Sequence, residues 1–306
     1  MIMYVLRRFG IALLTAIAAV TATFVMLRIA PGDPIAVLLG DMASDAEIAE
    51  ARQAYGLDLP IWQQLVFYLG KAATLDFGQS IAQGTPVREL VLSHLPTTLL
   101  LATSTMLLVI ALALPLGIYS ALRKGRSADH ATNAAALVAL SLPEFWTGIV
   151  MILVFSRLLR WLPSGGAESA WALIMPTVTL ALPLIAVNLR LMSTETINVL
   201  RAPYITMARA RGLPQGSILR RHVFRNALIP VVTVGGIQLG HLLGGAVIVE
   251  TVFNWPGVGQ LLIRSIGIRD YPVVQGCLIL MTFSVIITNM LVDFAYRLID
   301  PRFRRS

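Results

Sequence analysis

Long apolar runs separated by short polar stretches dominate this chain. About 20 apolar residues carry a helix across the hydrocarbon core of a bilayer. Six stretches approach or exceed that length: Phe9 to Leu27, Pro96 to Leu122, Ala131 to Leu159, Trp171 to Leu191, Ala227 to Val249 and Val273 to Val292. The pattern predicts an all-α integral membrane protein with six spans. The first run ends at Arg28 and Ala30-Pro31-Gly32-Asp33-Pro34 without a small-residue cleavage site, so it reads as a retained anchor and not a secretory signal.

The polar stretches are unequal. Ala30 to Leu95 is much the longest, and its Asp33, Asp41, Asp45, Glu47, Glu50, Asp58, Asp76 and Glu89 outnumber its basic residues. It predicts a small, partly helical cap. Ser44 stands as N-cap and Glu47 completes a capping box, with a stop at Tyr55-Gly56, where glycine supplies a left-handed end. The chain thus divides into an N-terminal span plus cap over 1–95 and a core of five spans over 96–306. No internal repeat or low-complexity tract is evident.

Composition narrows the class further: 57% of residues are hydrophobic, 13% are charged, and the mean hydropathy is +0.76. A net charge of +8 suggests nucleic acid in a soluble domain. Here the basic residues sit in short loops beside apolar runs, where they set topology. With the N-terminus in the cytoplasm, sixteen Lys and Arg residues fall inside and eight outside, the direction the positive-inside rule requires. Both termini are expected in the cytoplasm. The single cysteine, Cys277, lies in an apolar run and rules out an internal disulfide. Prolines at 115, 143, 176, 183 and 230 predict kinked spans, and the glycines at 235, 236, 240, 244 and 245 predict close helix packing.

One polar segment stands apart. A loop over 192–226 overlaps the run from Tyr204 to Pro230, YITMARARGLPQGSILRRHVFRNALIP, which is arginine-rich and sandwiched between two apolar runs. Pro203 suits a first helical turn and Gly212-Leu213-Pro214 a sharp stop. Ile205, Ala208 and Gly212 share one face at i, i+3 and i+7, a small-residue surface suited to a partner's groove.

That segment resembles the coupling loop of ABC-importer permeases, most closely the dipeptide, oligopeptide and nickel permease branch. The likeness rests on Ala208-Arg209-Ala210-Arg211-Gly212-Leu213 and on Arg221-His222-Val223-Phe224-Arg225-Asn226-Ala227-Leu228-Ile229-Pro230. It extends to Tyr4-Val5-Leu6-Arg7-Arg8, Pro31-Gly32-Asp33-Pro34, Tyr55-Gly56-Leu57-Asp58-Leu59-Pro60, Asp76-Phe77-Gly78-Gln79-Ser80, the stretches 250–259 and 269–275, and Asp300-Pro301-Arg302. Met207 departs from the general importer pattern, in which many members carry a glutamate at that place.

The resemblance implies a type I ABC-importer permease fold and an inner-membrane location. It implies that Tyr204, Ala208, Arg209, Ala210, Arg211 and Gly212 couple to a separate ATPase. The expected partners are a second homologous permease, two ATPase subunits and an extracytoplasmic binding protein. ATP and Mg would reside in the ATPase subunits and no cofactor in this chain, which carries no G-x-x-x-x-G-K-S/T loop. Dipeptides or oligopeptides are the expected cargo, with nickel complexes or glutathione as alternatives.

Several polar residues within or beside the spans are candidates for contact with cargo. Gln238 and His241 lie one turn apart inside the fifth run and either line a path or form an interhelical hydrogen bond; a histidine can also ligate nickel. Glu144, beside Trp146, either faces the amino end of a peptide or pairs with an arginine such as Arg190. Asp293 pairs best with Arg297 at i+4. Asn254, Trp255, Asp270 and Tyr271 belong to an outer gate or a binding-protein contact, with Trp255 at the lipid–water interface.

A secondary transporter would predict internal repeats and an intramembrane ion relay, which Glu144 and Asp293 alone do not make. An intramembrane hydrolase would predict H-E-x-x-H or G-x-S-x-G, and neither is present.

Overall fold

The computed structural model describes residues 58–74 and 76–299, together with positions 10, 11, 13–18, 20–22, 24, 25, 44, 46, 49, 50 and 53. The Ser44–Glu47 capping box, the stop at Tyr55-Gly56, both termini and the Asp293–Arg297 side-chain pair fall wholly or partly outside that set. The regular elements of the described part are helices, with an isolated antiparallel bridge between Gln79 and Pro86.

The helices are α1 (Ile61–Thr74), α2 (Val87–Leu122), α3 (Ser127–Ser141), α4 (Glu144–Met151), α5 (Ile174–Leu200), α6 (Pro203–Ala210), α7 (Gln215–Ile218), α8 (Phe224–Gly245), α9 (Val247–Val252), α10 (Val258–Gly267) and α11 (Tyr271–Ile299). Wide π-turns continue α4 over Ile152–Leu158 and precede α8 over Leu219–Val223. Among the described residues four helical stretches are long and apolar enough to span: Val87–Leu122, Ala170–Leu200, Gln215–Gly244 and Tyr271–Val292. They coincide with the second, fourth, fifth and sixth predicted runs. The first run is described only in part, and its described residues between 10 and 25 are helical.

The third run differs from expectation. It forms two helices, Ser127–Ser141 and Glu144–Leu158, that meet at 99°. The cause is local: Leu142 is extended at φ −91°, ψ 123°, as the residue before a proline prefers, and Pro143 then starts α4. The prolines at 115, 183 and 230 leave their helices continuous.

The chain forms two compact units, Met1–Thr98 with Pro256–Ile286 and Leu99–Trp255 with Ile287–Ser306. In the second, α5 is the hub. It packs against α3, α4 and α8, and α9 packs on α4. The core there joins Leu101, Met175, Leu180, Leu242, Phe253 and Trp255. Two glycines set helix separation. A methyl at Gly117 of α2 would lie 2.8 Å from the Leu189 carbonyl of α5, and one at Gly236 of α8 would lie 2.1 Å from a Val292 methyl on α11. Small side chains at these points let backbones approach where lipid offers no hydrophobic drive. Asp129 pins the turn before α3, accepting from Ser120 Oγ at 2.6 Å and from the Gly125 N–H at 2.9 Å.

In the first unit, α1 buries Tyr68 against Val20, Phe24 and Ile279 while Ile61, Trp62, Val66 and Phe67 remain exposed. The segment between the first two predicted spans therefore contains an apolar helix as well as its acidic part.

Candidate functional site

The basic segment folds as a helix whose two faces do different things. Pro203 opens α6, where its missing N–H needs no partner. Gly212, at φ +74°, ends it: the Gly212 N–H reaches Arg209 O at 2.9 Å and the Leu213 N–H reaches Ala208 O at 3.3 Å. Pro214 then starts α7. Ile205 and Ala208 turn inward onto Ile218 and Val223, with Val199, Leu200 and Leu219 around them. Ile205 is fully buried and Ala208 is 8% exposed.

This corrects the expectation that Ile205 and Ala208 offer a docking surface. With only eight residues, about two turns, the helix spends that stripe on tying itself to its own stems. The open face carries Thr206, Met207 and Ala210, flanked by Tyr204, Arg209 and Arg211, with Gly212 also exposed. Met207 is 58% exposed. No acidic residue occurs between Glu195 and Glu250, so this face is apolar at its centre and cationic at its edges.

Within the spans, Asn188 Nδ2 donates to Gln238 Oε1 at 2.6 Å and to Leu184 O at 2.8 Å. Gln238 thus makes an interhelical hydrogen bond from α8 to α5, while His241 is exposed one turn later. Asn188 was not singled out by sequence; a polar amide inside an apolar run is the signal that marks it. Glu144 is half-buried at the start of α4, Phe145 and Trp146 are exposed, and Arg190 is exposed on α5. Among the described residues Glu144 makes no ion pair, with Arg190 or any other cation, and no group of three or more His, Cys, Asp or Glu side chains is placed to hold a metal.

The last predicted group separates between the two units. In the second unit, Phe253 and Trp255 are 1% and 2% exposed. Trp255 is a core residue, which corrects its expected place at the lipid–water interface. Its N–H donates to Glu250 O at 2.8 Å, closing a turn in which Asn254 is exposed at φ +48°. The Gly166 N–H donates to Phe253 O at 2.9 Å.

In the first unit, Asp270 is 1% exposed. Its carboxylate accepts from Ser80 Oγ at 2.5 Å and from the N–H groups of Ile81 and Ala82 at 3.1 and 3.3 Å. Ser80 Oγ in turn accepts from the Gln83 N–H at 3.0 Å. Asp270 is therefore turned inward as a clasp on the 79–86 loop, between the exposed Arg269 and the half-buried Tyr271. The Asp270 side chain is unavailable as a direct contact for another protein. Charge-assisted bonds of this kind are about twice as strong as neutral ones.

Comparisons with known proteins agree with this architecture. The family model described as binding-protein-dependent transport system inner membrane component matches residues 113–305, and that of its N-terminal part matches 1–102. The di/tripeptide transport system permease protein DppB of Pseudomonas aeruginosa is 36% identical, with all of both chains covered. The oligopeptide permease protein AppB of Bacillus subtilis is 34% identical over 98% of each chain. The glutathione permease protein GsiC of Escherichia coli is 37% identical over 99% of each.

Two solved structures share the fold. A chain of the inward-facing MetNI methionine ABC transporter has a TM-score of 0.55 at 18% identity, covering 69% of this chain and 96% of its own. An amino acid ABC transporter with histidines has a TM-score of 0.51 at 16% identity, covering 68% and 94%. With an apolar helical bundle, an exposed basic helix between two spans and full-length relatives of this kind, the chain belongs to the family of inner-membrane components of binding-protein-dependent ABC transport systems.

Proposed function

We propose that this chain is one of two permease subunits of an ATP-driven importer that carries dipeptides and oligopeptides from an extracytoplasmic binding protein across the cytoplasmic membrane. The observation that carries the proposal is the two-faced helix α6. It is tied by Ile205 and Ala208 to its own stems and open along Thr206, Met207 and Ala210. A rigidly seated, outward-presented helix transmits a push from a soluble motor.

On this reading both termini and α6 are cytoplasmic, as the distribution of basic residues favours. Met207 and Ala210 enter a groove of an ATPase subunit, and Arg209, Arg211 and Tyr204 meet its rim. A second permease, homologous to this one, carries the matching helix for a second ATPase. Closure of the ATPases around ATP and Mg then favours an outward-open arrangement of the spans. Driving such an equilibrium from 1:99 to 99:1 takes about 5.5 kcal/mol of differential binding. The π-turn Leu219–Val223 links α7 to α8 on the route from docking helix to span, and π-turns often accompany functional sites.

Gln238, His241, Glu144 and Trp146 are proposed for the path. Asn254 and Tyr271 face the extracytoplasmic side, with Asp270 and Trp255 as the scaffold beneath them. Glutathione, itself a tripeptide, is a second cargo of the same class, favoured by the 37% identity to the glutathione permease.

The test is reconstitution of the complete transporter with its binding protein and a dipeptide. Met207→Asp combined with Arg211→Glu places acid on the docking face. It should lower peptide-stimulated ATP hydrolysis and uptake by at least about tenfold, equivalent to roughly 1.4 kcal/mol of docking. Membrane insertion should be unchanged. Coupled uptake at the wild-type rate in that variant would falsify the docking role of α6.

A further inference from the structure

The second unit contains a cavity of about 460 Å³ between α2, α5, α8 and α11, within the roughly 300–1,000 Å³ range of small-molecule sites. One wall is a single stripe of α8: Phe224, Leu228, Val231, Gly235 and Leu239. From Phe224 to Leu239 that stripe is about 22 Å long at 1.5 Å per residue, somewhat more than the roughly 15 Å depth of one leaflet's hydrocarbon. Met106 to Leu114 of α2 supply the opposite wall. The lining is apolar except for Asn188, whose Nδ2 is already engaged and whose Oδ1 is shut away from the surface. An occupant therefore meets hydrocarbon along the whole stripe.

The chemistry changes at one end. Arg225 follows Phe224 directly, and Arg221 sits in the π-turn three residues before it, so both belong to the Phe224 end of the cavity. Side chains on a helix lean toward its N-terminus, which carries both guanidinium groups away from the apolar lining and toward the polar segment. Both are exposed, and among the described residues neither forms an ion pair.

We infer that this cavity and its arginine pair are a binding site for an anionic phospholipid of the leaflet next to α6. One acyl chain lies along the α8 stripe, and the phosphate sits between Arg221 and Arg225. Burial of its methylenes fixes the chain, and the two guanidinium groups select the headgroup. A zwitterionic lipid of the same chain length satisfies the cavity and not the charge. Because the site borders the π-turn Leu219–Val223, its occupant touches the link between α7 and α8.

The test uses the purified full-length chain in mild detergent, with phosphatidylglycerol or phosphatidylcholine of identical acyl chains added and counted by native mass spectrometry. Wild-type protein should retain phosphatidylglycerol in preference. Arg221→Gln and Arg225→Gln should each lower that preference roughly fivefold, the fold-equivalent of one basic residue at an anionic surface. Phosphatidylcholine retention should not change.

Gly235→Leu fills the cavity without a backbone clash, since a methyl there meets only Met106 Sδ at 4.0 Å, and it should lower retention of both lipids. Val232→Phe serves the same purpose if that variant is unstable. Unchanged preference in the double arginine variant overturns the inference, as it must if the pair instead serves an ATPase surface. Wild-type retention in the filled-cavity variants overturns it too. So does displacement of phosphatidylglycerol by soluble glycerol phosphate at equal concentration, which would mark an anion site without a chain seat. None of these measurements involves transport, so their outcome is independent of the cargo and of the docking role of α6.

Discussion

The segment around α6 and the clasp around Asp270 are both dense in the motif residues that carry the family resemblance, yet they place those residues in opposite ways. Around α6, most of the motif is exposed: Met207, Arg209, Ala210, Arg211 and Gly212 all face outward, and Ile205 and Ala208 hold the helix down. Around Asp270, the chemistry is turned inward. The carboxylate, the Ser80 hydroxyl and two backbone N–H groups satisfy one another in a buried cluster. Motif density in a sequence thus marks constraint without saying which kind. An exposed polar motif is free to recognise a partner, whereas a buried one is consumed in shaping a loop.

Substitutions can break that contrast. The largest loss of stability is expected at Asp270→Ala, which leaves Ser80 Oγ and the Ile81 and Ala82 N–H groups short of their acceptor. Thermal unfolding in detergent should show destabilisation on the order of 3 kcal/mol, given about 1–3 kcal/mol per buried unsatisfied group. If Asp270→Ala unfolds like wild type while binding-protein docking is lost, the inward clasp is the wrong description. Next is Ala208→Phe. Overpacking the contact with Ile218 and Val223 should cost about 1–3 kcal/mol and expose the segment to limited proteolysis. Met207→Ala, on the open face of the same helix, should leave stability within about 0.5 kcal/mol.

A comparably small effect is expected within the spans. Gln238→Leu removes the partner of Asn188 Nδ2, and interhelical hydrogen bonds in membranes average about 0.6 kcal/mol. Stability should therefore shift little. A larger change in uptake than in unfolding would separate a role in the path from packing alone.

Much of the fold was readable because lipid imposes a strict length rule. The runs at 96–122, 171–191 and 273–292 each lie in a helix, and that at 227–249 does so up to Gly245, since a backbone in hydrocarbon has to satisfy its own hydrogen bonds. The start of α6 at Pro203 and its end at Gly212 were equally legible, because φ restriction and φ permissiveness are properties of those residues alone. The break at Pro143 was only half legible. The sequence carries five prolines of this kind, and the other four lie within continuous helices.

What the sequence by itself determined is membrane residency, the positions of most spans, the basic helix between two of them and the family. These depend on local composition, on residue-specific backbone preferences and on ordered motifs. What the tertiary structure alone decided is orientation. It turned Ala208 and Trp255 inward, folded Asp270 onto Ser80, joined Gln238 to Asn188, and gathered α2, α5, α8 and α11 around an apolar cavity. Each of these pairs residues far apart in the chain or chooses one helix face over another. That choice is made by which neighbour is present to pack or hydrogen-bond, and no local preference encodes it.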